Sequence, residues 1–194
     1  MALIPAALRL PPSVTVAVRN VVAVARVADH LRVEDLAPRI PGATLELRLL
    51  KMVVHFARPR ATVLAFGSGK VVFTGLQETD DLVPAFAALL EALRAAGADL
   101  ADPVPLPRIV NVVASGTLGD GVALHHLALS RNFDRVEFDP EQFPGLVYRS
   151  RAGPVALVFG TGSYVITGAR SIDGAMAIAS EVRAMVTAAD AWTP

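Results

Sequence analysis

The chain says the same thing twice. Arg19-Asn20-Val21-Val22-Ala23 returns as Val110-Asn111-Val112-Val113-Ala114, and Leu64-Ala65-Phe66-Gly67-Ser68-Gly69-Lys70 returns as Leu157-Val158-Phe159-Gly160-Thr161-Gly162-Ser163. Val72-Phe73-Thr74-Gly75 returns as Val165-Ile166-Thr167-Gly168. The offsets of 91 to 93 residues are too long for a solenoid, whose repeats run to roughly 50 residues at most. What is duplicated is a half-domain. The reading is a leader at residues 1–13, a first repeat at 14–98, a link at 99–106 and a second repeat at 107–194. Three prolines between Asp99 and Pro107 mark the boundary.

Each half carries the same order of elements. A β-branched run comes first (Val14–Val24; Ile109–Ser115), then a segment with short helical stretches (Arg32–Ile40; Val122–Arg131). Strands follow at Leu45–Leu50, Met52–Phe56, Thr62–Phe66 and Val71–Thr74, and at Leu146–Arg149, Val155–Phe159 and Tyr164–Thr167. A helix closes each half. Leu82, Phe86, Leu89, Leu90 and Leu93 recur at helical spacing, as do Ile172, Met176, Ile178 or Ala179, Val182 and Met185. Asp80 or Asp81 is placed to cap the first helix, with Pro84 in its opening turn, and Ser171 to cap the second.

Alternation along the strands puts Asn20 with Val22, Leu64 with Phe66 and Val72 with Thr74 on one face of the sheet. The second half repeats this with Asn111 and Val113, Leu157 and Phe159, Val165 and Thr167. The opposite set (Val21, Ala23, Val63, Ala65, Val71, Phe73) is apolar too. Two long helices cover only one face, so the other must meet a partner, a second subunit or a ligand. Its uncharged Val, Leu, Thr and Phe with two equivalent Asn suit a DNA minor groove. A·T pairs present only acceptors there, to which amides and hydroxyls donate, and Phe rings wedge into base steps.

Several chemistries are excluded. Gly67-Ser68-Gly69-Lys70 runs into a strand, so it is a hairpin turn and not a phosphate-binding loop before a helix. The chain has no Cys, and His30, His55, His125 and His126 lack partners at ligand spacing, so no metal or cofactor is expected. No nucleophile-elbow context surrounds any Ser, so no enzyme is expected. Apolar stretches fall short of the ~18–20 residues of a membrane span, so a soluble intracellular protein is expected. Lys+Arg and Asp+Glu balance at 18 each, so cations that meet phosphate must be concentrated on one face.

The run Phe138-Asp139-Pro140-Glu141-Gln142-Phe143-Pro144-Gly145-Leu146-Val147-Tyr148-Arg149 resembles the second-repeat stirrup of the TATA-box-binding protein family. The duplicated Asn-Val-Val-Ala and Phe-x-x-Gly-x-x-x-x-Thr-Gly patterns resemble it as well, from about Val14 to Ala191. The resemblance implies an α+β saddle. Two pseudo-symmetric repeats would form one curved antiparallel sheet of about ten strands, with four helices on its convex side. It further implies base contacts from Asn20 and Asn111 and a groove lining of Val22, Leu64, Val72, Thr74, Val113, Leu157, Val165 and Thr167. Phe66, Phe143 and Phe159 would be kinking wedges, with Pro144 beside Phe143. Arg149, Lys70 and Ser68 would meet phosphate, and Asp139 and Glu141 would meet transcription factor B. The implied activity is bending of A·T-rich promoter DNA and recruitment of transcription factor B and RNA polymerase. The chain departs from the pattern where Leu49 (or Leu50, if the register slips) replaces the fourth Phe, where His55 replaces an Arg and where Ser163 replaces a Lys. These departures favour an alternative, in which the apolar underside serves as a protein-interaction or homodimer surface.

Overall fold

The computed structural model describes residues 14–130 and 135–193. Its elements follow the duplication. The first half contains β1 (Thr15–Arg26), α1 (Val33–Leu36), β2 (Thr44–Glu46), β3 (Lys51–Ala57), β4 (Arg60–Phe66), β5 (Lys70–Leu76) and α2 (Leu82–Ala95). The second contains β6 (Arg108–Thr117), β7 (Gly121–Val122), α3 (Leu124–Leu129), β8 (Val136–Glu137), β9 (Leu146–Arg149), β10 (Val155–Val158), β11 (Ser163–Ala169), α4 (Ile172–Ala188) and β12 (Trp192–Thr193). Strand order is β2-β3-β4-β5-β1 in the first half and β6-β11-β10-β9-β8 in the second, with β7 and β12 forming a separate pair. Five antiparallel strands and two α-helices per half make up the expected α+β fold of ten sheet strands and four helices.

By packing, the chain divides into one unit of residues 20–110 and another that joins 111–193 to residues 14–19 of β1. In the latter, the Thr117 N–H donates to Thr15 Oγ1 (3.2 Å), the Tyr164 hydroxyl donates to the Thr15 carbonyl (2.6 Å), and Arg19 Nε donates to Ser115 Oγ (2.7 Å).

The helix-covered face of each half is the core. Val21, Ala23, Val63, Ala65, Val71 and Phe73 are fully buried. They meet Leu82, Ala85, Phe86, Leu89 and Leu93 of α2, and Phe73 and Phe86 pack edge to face at 6.0 Å. Each buried Val, Leu or Phe among them contributes about 1.5–3 kcal/mol. Leu90, which also fits the helical spacing, is only half-buried. In α4 the buried line is Ala175, Ile178, Ala179, Val182, Met185 and Val186, which leaves Ile172 and Met176 at its margin. Ser171 caps α4 by accepting the Gly174 N–H (3.0 Å).

Two sequence expectations need correction. The strand over Leu45–Leu50 ends at Glu46, and Leu47–Leu49 form a 3-10 turn that closes on Leu50 in the left-handed region (φ 43°). Leu47, Leu49 and Leu50 thus leave the sheet and stand exposed. At the start of α2, neither Asp80 nor Asp81 caps through its side chain; the Leu82 N–H bonds the Thr79 carbonyl instead. Within the expected second-half stretch the helix runs from Leu124 to Leu129 with Ser130 as its C-cap, and Arg131 lies outside the described residues. Among the described residues no helix is long and apolar enough to cross a membrane.

Candidate nucleic-acid interface

The face without helices is the one that alternation singled out. Asn20 and Val22 on β1, Leu64 and Phe66 on β4, and Val72 and Thr74 on β5 are all half-buried, and the residues that alternate with them, Val21, Ala23, Val63, Ala65, Val71 and Phe73, are in the core. The second half places Asn111 and Val113 on β6, Leu157 on β10, Phe159 just beyond it, and Val165 and Thr167 on β11, all half-buried. Strand pairing assembles these into rows. In the first half Val53, Leu64, Val72 and Val24 lie side by side, and His55, Thr62 and Thr74 form the next row. In the second, Val147, Leu157, Val165 and Ser115 match the first row, and Arg149, Val155 and Thr167 match the second. Val24, Val53, Thr62, Val147 and Val155 therefore belong to the site although motif matching passed over them. Cross-strand pairing was the signal that could have found them.

The two asparagines occupy equivalent and unusual places. β5 carries one more residue than β1 where the register shifts between Val21 and Ala23, and β11 carries one more than β6 between Ile166 and Ala169. Such a bulge leaves one N–H out of the ladder and turns the chain through a glycine in the left-handed region. The glycines are Gly75 (φ 82°) and Gly168 (φ 86°). Asn20 Oδ1 accepts the Gly75 N–H at 2.7 Å, and Asn111 Oδ1 accepts the Gly168 N–H at 2.7 Å. Thr74 Oγ1 adds a donor to Asn20 Oδ1 (3.3 Å). An N–H can bond only the oxygen end of a carboxamide, so each amide is fixed with its oxygen on the bulge. Its NH2 end remains for an acceptor outside the protein.

The ends of the face differ between the halves. Phe143, half-buried, meets Phe159 edge to face at 5.9 Å. Gly145 makes room for them, since a Cβ there would stand 2.7 Å from Phe143 Cε1 and 3.0 Å from Phe159 Cε1. Pro144, next to Phe143 in sequence, is exposed. In the first half Leu49 occupies the place of Phe143, 54% exposed, and Lys51 occupies that of Gly145, directly across from Phe66. Lys51 Nζ contacts Glu46 at 2.7 Å, and its side chain is only 17% exposed.

Ser68 and Lys70 are exposed at the β4–β5 turn, where Lys70 pairs with Arg26 in the strand register. Arg149 lies beside Glu137 (3.0 Å), and this guanidinium, by hydrogen bond first and charge second, holds the Glu137 carboxyl below its ordinary value. A cation expected to meet phosphate thus already holds an acid. Its neighbour Tyr148 points the other way and donates to Glu181 of α4 (3.1 Å), as Ser150 does (2.9 Å). Burial, then Glu181, raises the Tyr148 hydroxyl. Asp139 is a turn residue whose carboxylate accepts from the Glu141 N–H (3.2 Å) and from Gln142 Nε2 (2.6 Å), while Glu141 is exposed. Among the described residues no cluster of His, Asp and Glu could hold a metal ion.

The chain matches the family described as "Transcription factor TFIID (or TATA-binding protein, TBP)" over residues 15–96 and 106–188. It is 39% identical to TATA-box-binding protein D of Halobacterium salinarum over 163 residues, covering 83% of this chain and 87% of that one. It is 36% identical to TATA-box-binding protein 2 of Haloferax volcanii over 176 residues, covering 88% of this chain and 92% of the relative. Among solved structures, Methanococcus jannaschii TBP superposes with a TM-score of 0.79 at 31% identity, covering 89% of this chain and 98% of that one.

Proposed function

The chain belongs to the TATA-box-binding protein family, whose members are DNA-binding transcription factors and not enzymes, and on that premise we propose that it binds A·T-rich promoter DNA through the minor groove and bends it. The observation that carries the reading is the pair of asparagines. Each has its oxygen held by a bulge glycine and its NH2 end left outward, amid rows of uncharged Val, Leu and Thr. The minor-groove edge of an A·T pair offers acceptors alone, whereas a G·C pair adds the guanine amine, a donor that would face the asparagine donors. Thr167 supplies a further donor, whereas the Thr74 hydroxyl is already given to Asn20 Oδ1, and the valine and leucine rows exclude water from the groove floor.

Bending follows from the aromatic pair. Phe143 and Phe159 unstack a base step, most easily a TA step, and the bent duplex wraps more of the face. Few open cations face the duplex, so affinity falls only gently with salt. The bent complex, with exposed Glu141 and the Asp139 turn, is the platform for a transcription factor B-like protein and RNA polymerase. Fluorescence anisotropy on doubly labelled A·T-rich and G·C-rich duplexes over a salt series, with bending read by energy transfer, tests this. Preference for A·T with a bend is expected. Equal binding of both, or none at low salt, would retire the DNA reading and leave the apolar rows as a protein-interaction or homodimer surface.

A further inference from the structure

The two halves carry the same fold but not the same chemistry at one row. In the second half that row holds Gly145, Phe159, Ser163 and Thr117, with Phe143 against Phe159. The corresponding row of the first half holds Lys51, Phe66, Lys70 and Arg26. The one aromatic ring of that first-half row, Phe66, lies between Lys51 and Lys70, with Arg26 beyond Lys70, whereas no cation stands in the equivalent row of the second half. We infer that the halves hold a duplex by different physics: the second half inserts the Phe143–Phe159 pair and makes the kink, while the first half grips phosphates with Lys70 and Arg26 and leaves its base step stacked.

The inference rests on the minor-groove reading above and deepens it. A wedge needs an apolar, dry flank. Phe159 has one, because Gly145 admits a second ring beside it. Phe66 instead adjoins the Lys51–Glu46 ion pair, which sits 17% exposed on the lysine side and would have to be stripped of water under an inserted base. Leu49, in the place of the missing ring, offers less stacking area. Lys70 is exposed and has no ion pair among the described residues, and Arg26 is held only loosely, 3.6 Å from an exposed Asp29. Both are placed to exchange condensed counterions for contact with phosphate.

Phe159→Leu, Phe66→Leu and the double variant Arg26→Gln/Lys70→Gln are compared by energy transfer at saturating protein and by the slope of log affinity against log salt. Phe159→Leu should remove about half the bend or more and leave the slope alone, as the kink comes from the wedge. Phe66→Leu should leave both nearly unchanged. The double cation variant should flatten the slope by about 1.8, or 0.9 per phosphate, at unchanged bend. Gly145→Ala, which intrudes on both rings without deleting either, should behave as Phe159→Leu does. Equal loss of bend from Phe66→Leu and Phe159→Leu would overturn the inference, as would an unchanged slope in the double variant. Failure of the unaltered protein to bind at low salt would instead overturn the duplex reading itself.

Discussion

Replacing Asn111 by Asp separates the two jobs its side chain does. One carboxylate oxygen can still accept the Gly168 N–H that Asn111 Oδ1 accepts at 2.7 Å, so the bulge stays closed. The other oxygen takes the place of the NH2 group, so a donor facing the groove becomes a charged acceptor. Facing adenine N3 or thymine O2, it loses a base-edge contact of about 1–3 kcal/mol and adds repulsion. At tenfold per 1.4 kcal/mol, affinity for an A·T-rich duplex should fall by roughly 5- to 150-fold or more. Thermal unfolding should scarcely move. Asn111→Ala should do the reverse to stability, since it leaves the bulge N–H without its partner. An unsatisfied donor costs about 1–3 kcal/mol when buried. Gly168 is itself exposed, so water recovers part of this and the cost sits near the lower end. For a chain of this size that lowers the midpoint by about 2–4 °C per kcal/mol. Anisotropy titrations and circular-dichroism melts on the two variants read the two effects independently. If Asn111→Asp binds A·T-rich DNA as the parent does, the amide is a bulge plug only and the direct-readout reasoning is wrong.

Three further outcomes follow from the geometry. Gly168→Ala forces a side chain into the left-handed region at φ 86°, with its Cβ 3.3 Å from Pro154 Cα, and should cost about 1–3 kcal/mol in chemical denaturation; an unchanged midpoint would refute the bulge description. Burial pushes the Tyr164 hydroxyl up to about 12, so the folded chain keeps a proton that the unfolded chain releases near 10. Its contribution is complete below about pH 10 and lost between about pH 10 and 12, and Tyr164→Phe should abolish that decline in pH-dependent melts. Glu137→Gln should release Arg149 for phosphate, tightening DNA binding and steepening the salt slope by about 0.9; unchanged binding would place Arg149 outside the interface.

Much of the fold was legible because duplication supplied an internal check. A motif such as Phe66-Gly67-Ser68-Gly69 is weak alone, but its echo at Phe159 fixed hairpin, register and face together. The open face could be read because Val21, Ala23, Val63 and Phe73 alternate cleanly with Asn20, Val22, Leu64 and Thr74. What escaped was non-local. Nothing in the residues near Lys51 says that it pairs with Glu46, or that Arg149 is held by Glu137, because both pairs depend on edge strands of two or three residues with little propensity of their own. The Leu47–Leu50 run was misjudged for a related reason. Its composition favours regular structure, but its leucine side chains stay exposed, and it is tied in only where the Leu50 carbonyl accepts the Gly67 N–H. The bulges leave only one mark, a three-residue step in the buried set from Phe73 to Leu76 and from Ile166 to Ala169, at the very end of each strand where it reads as a strand terminus.

The exchange of residues 14–19 into the packing unit of 111–193 gives the molecule a genetics of its own. What is duplicated in the sequence is not what packs as a unit. A fragment cut at the proline-rich link would begin near Pro107 and lack Thr15, so the Tyr164 hydroxyl and the Thr117 N–H would lose their partners. Supplying residues 14–19 as a separate peptide, or moving them by circular permutation to a new end of the chain, should restore what the fragment lacks.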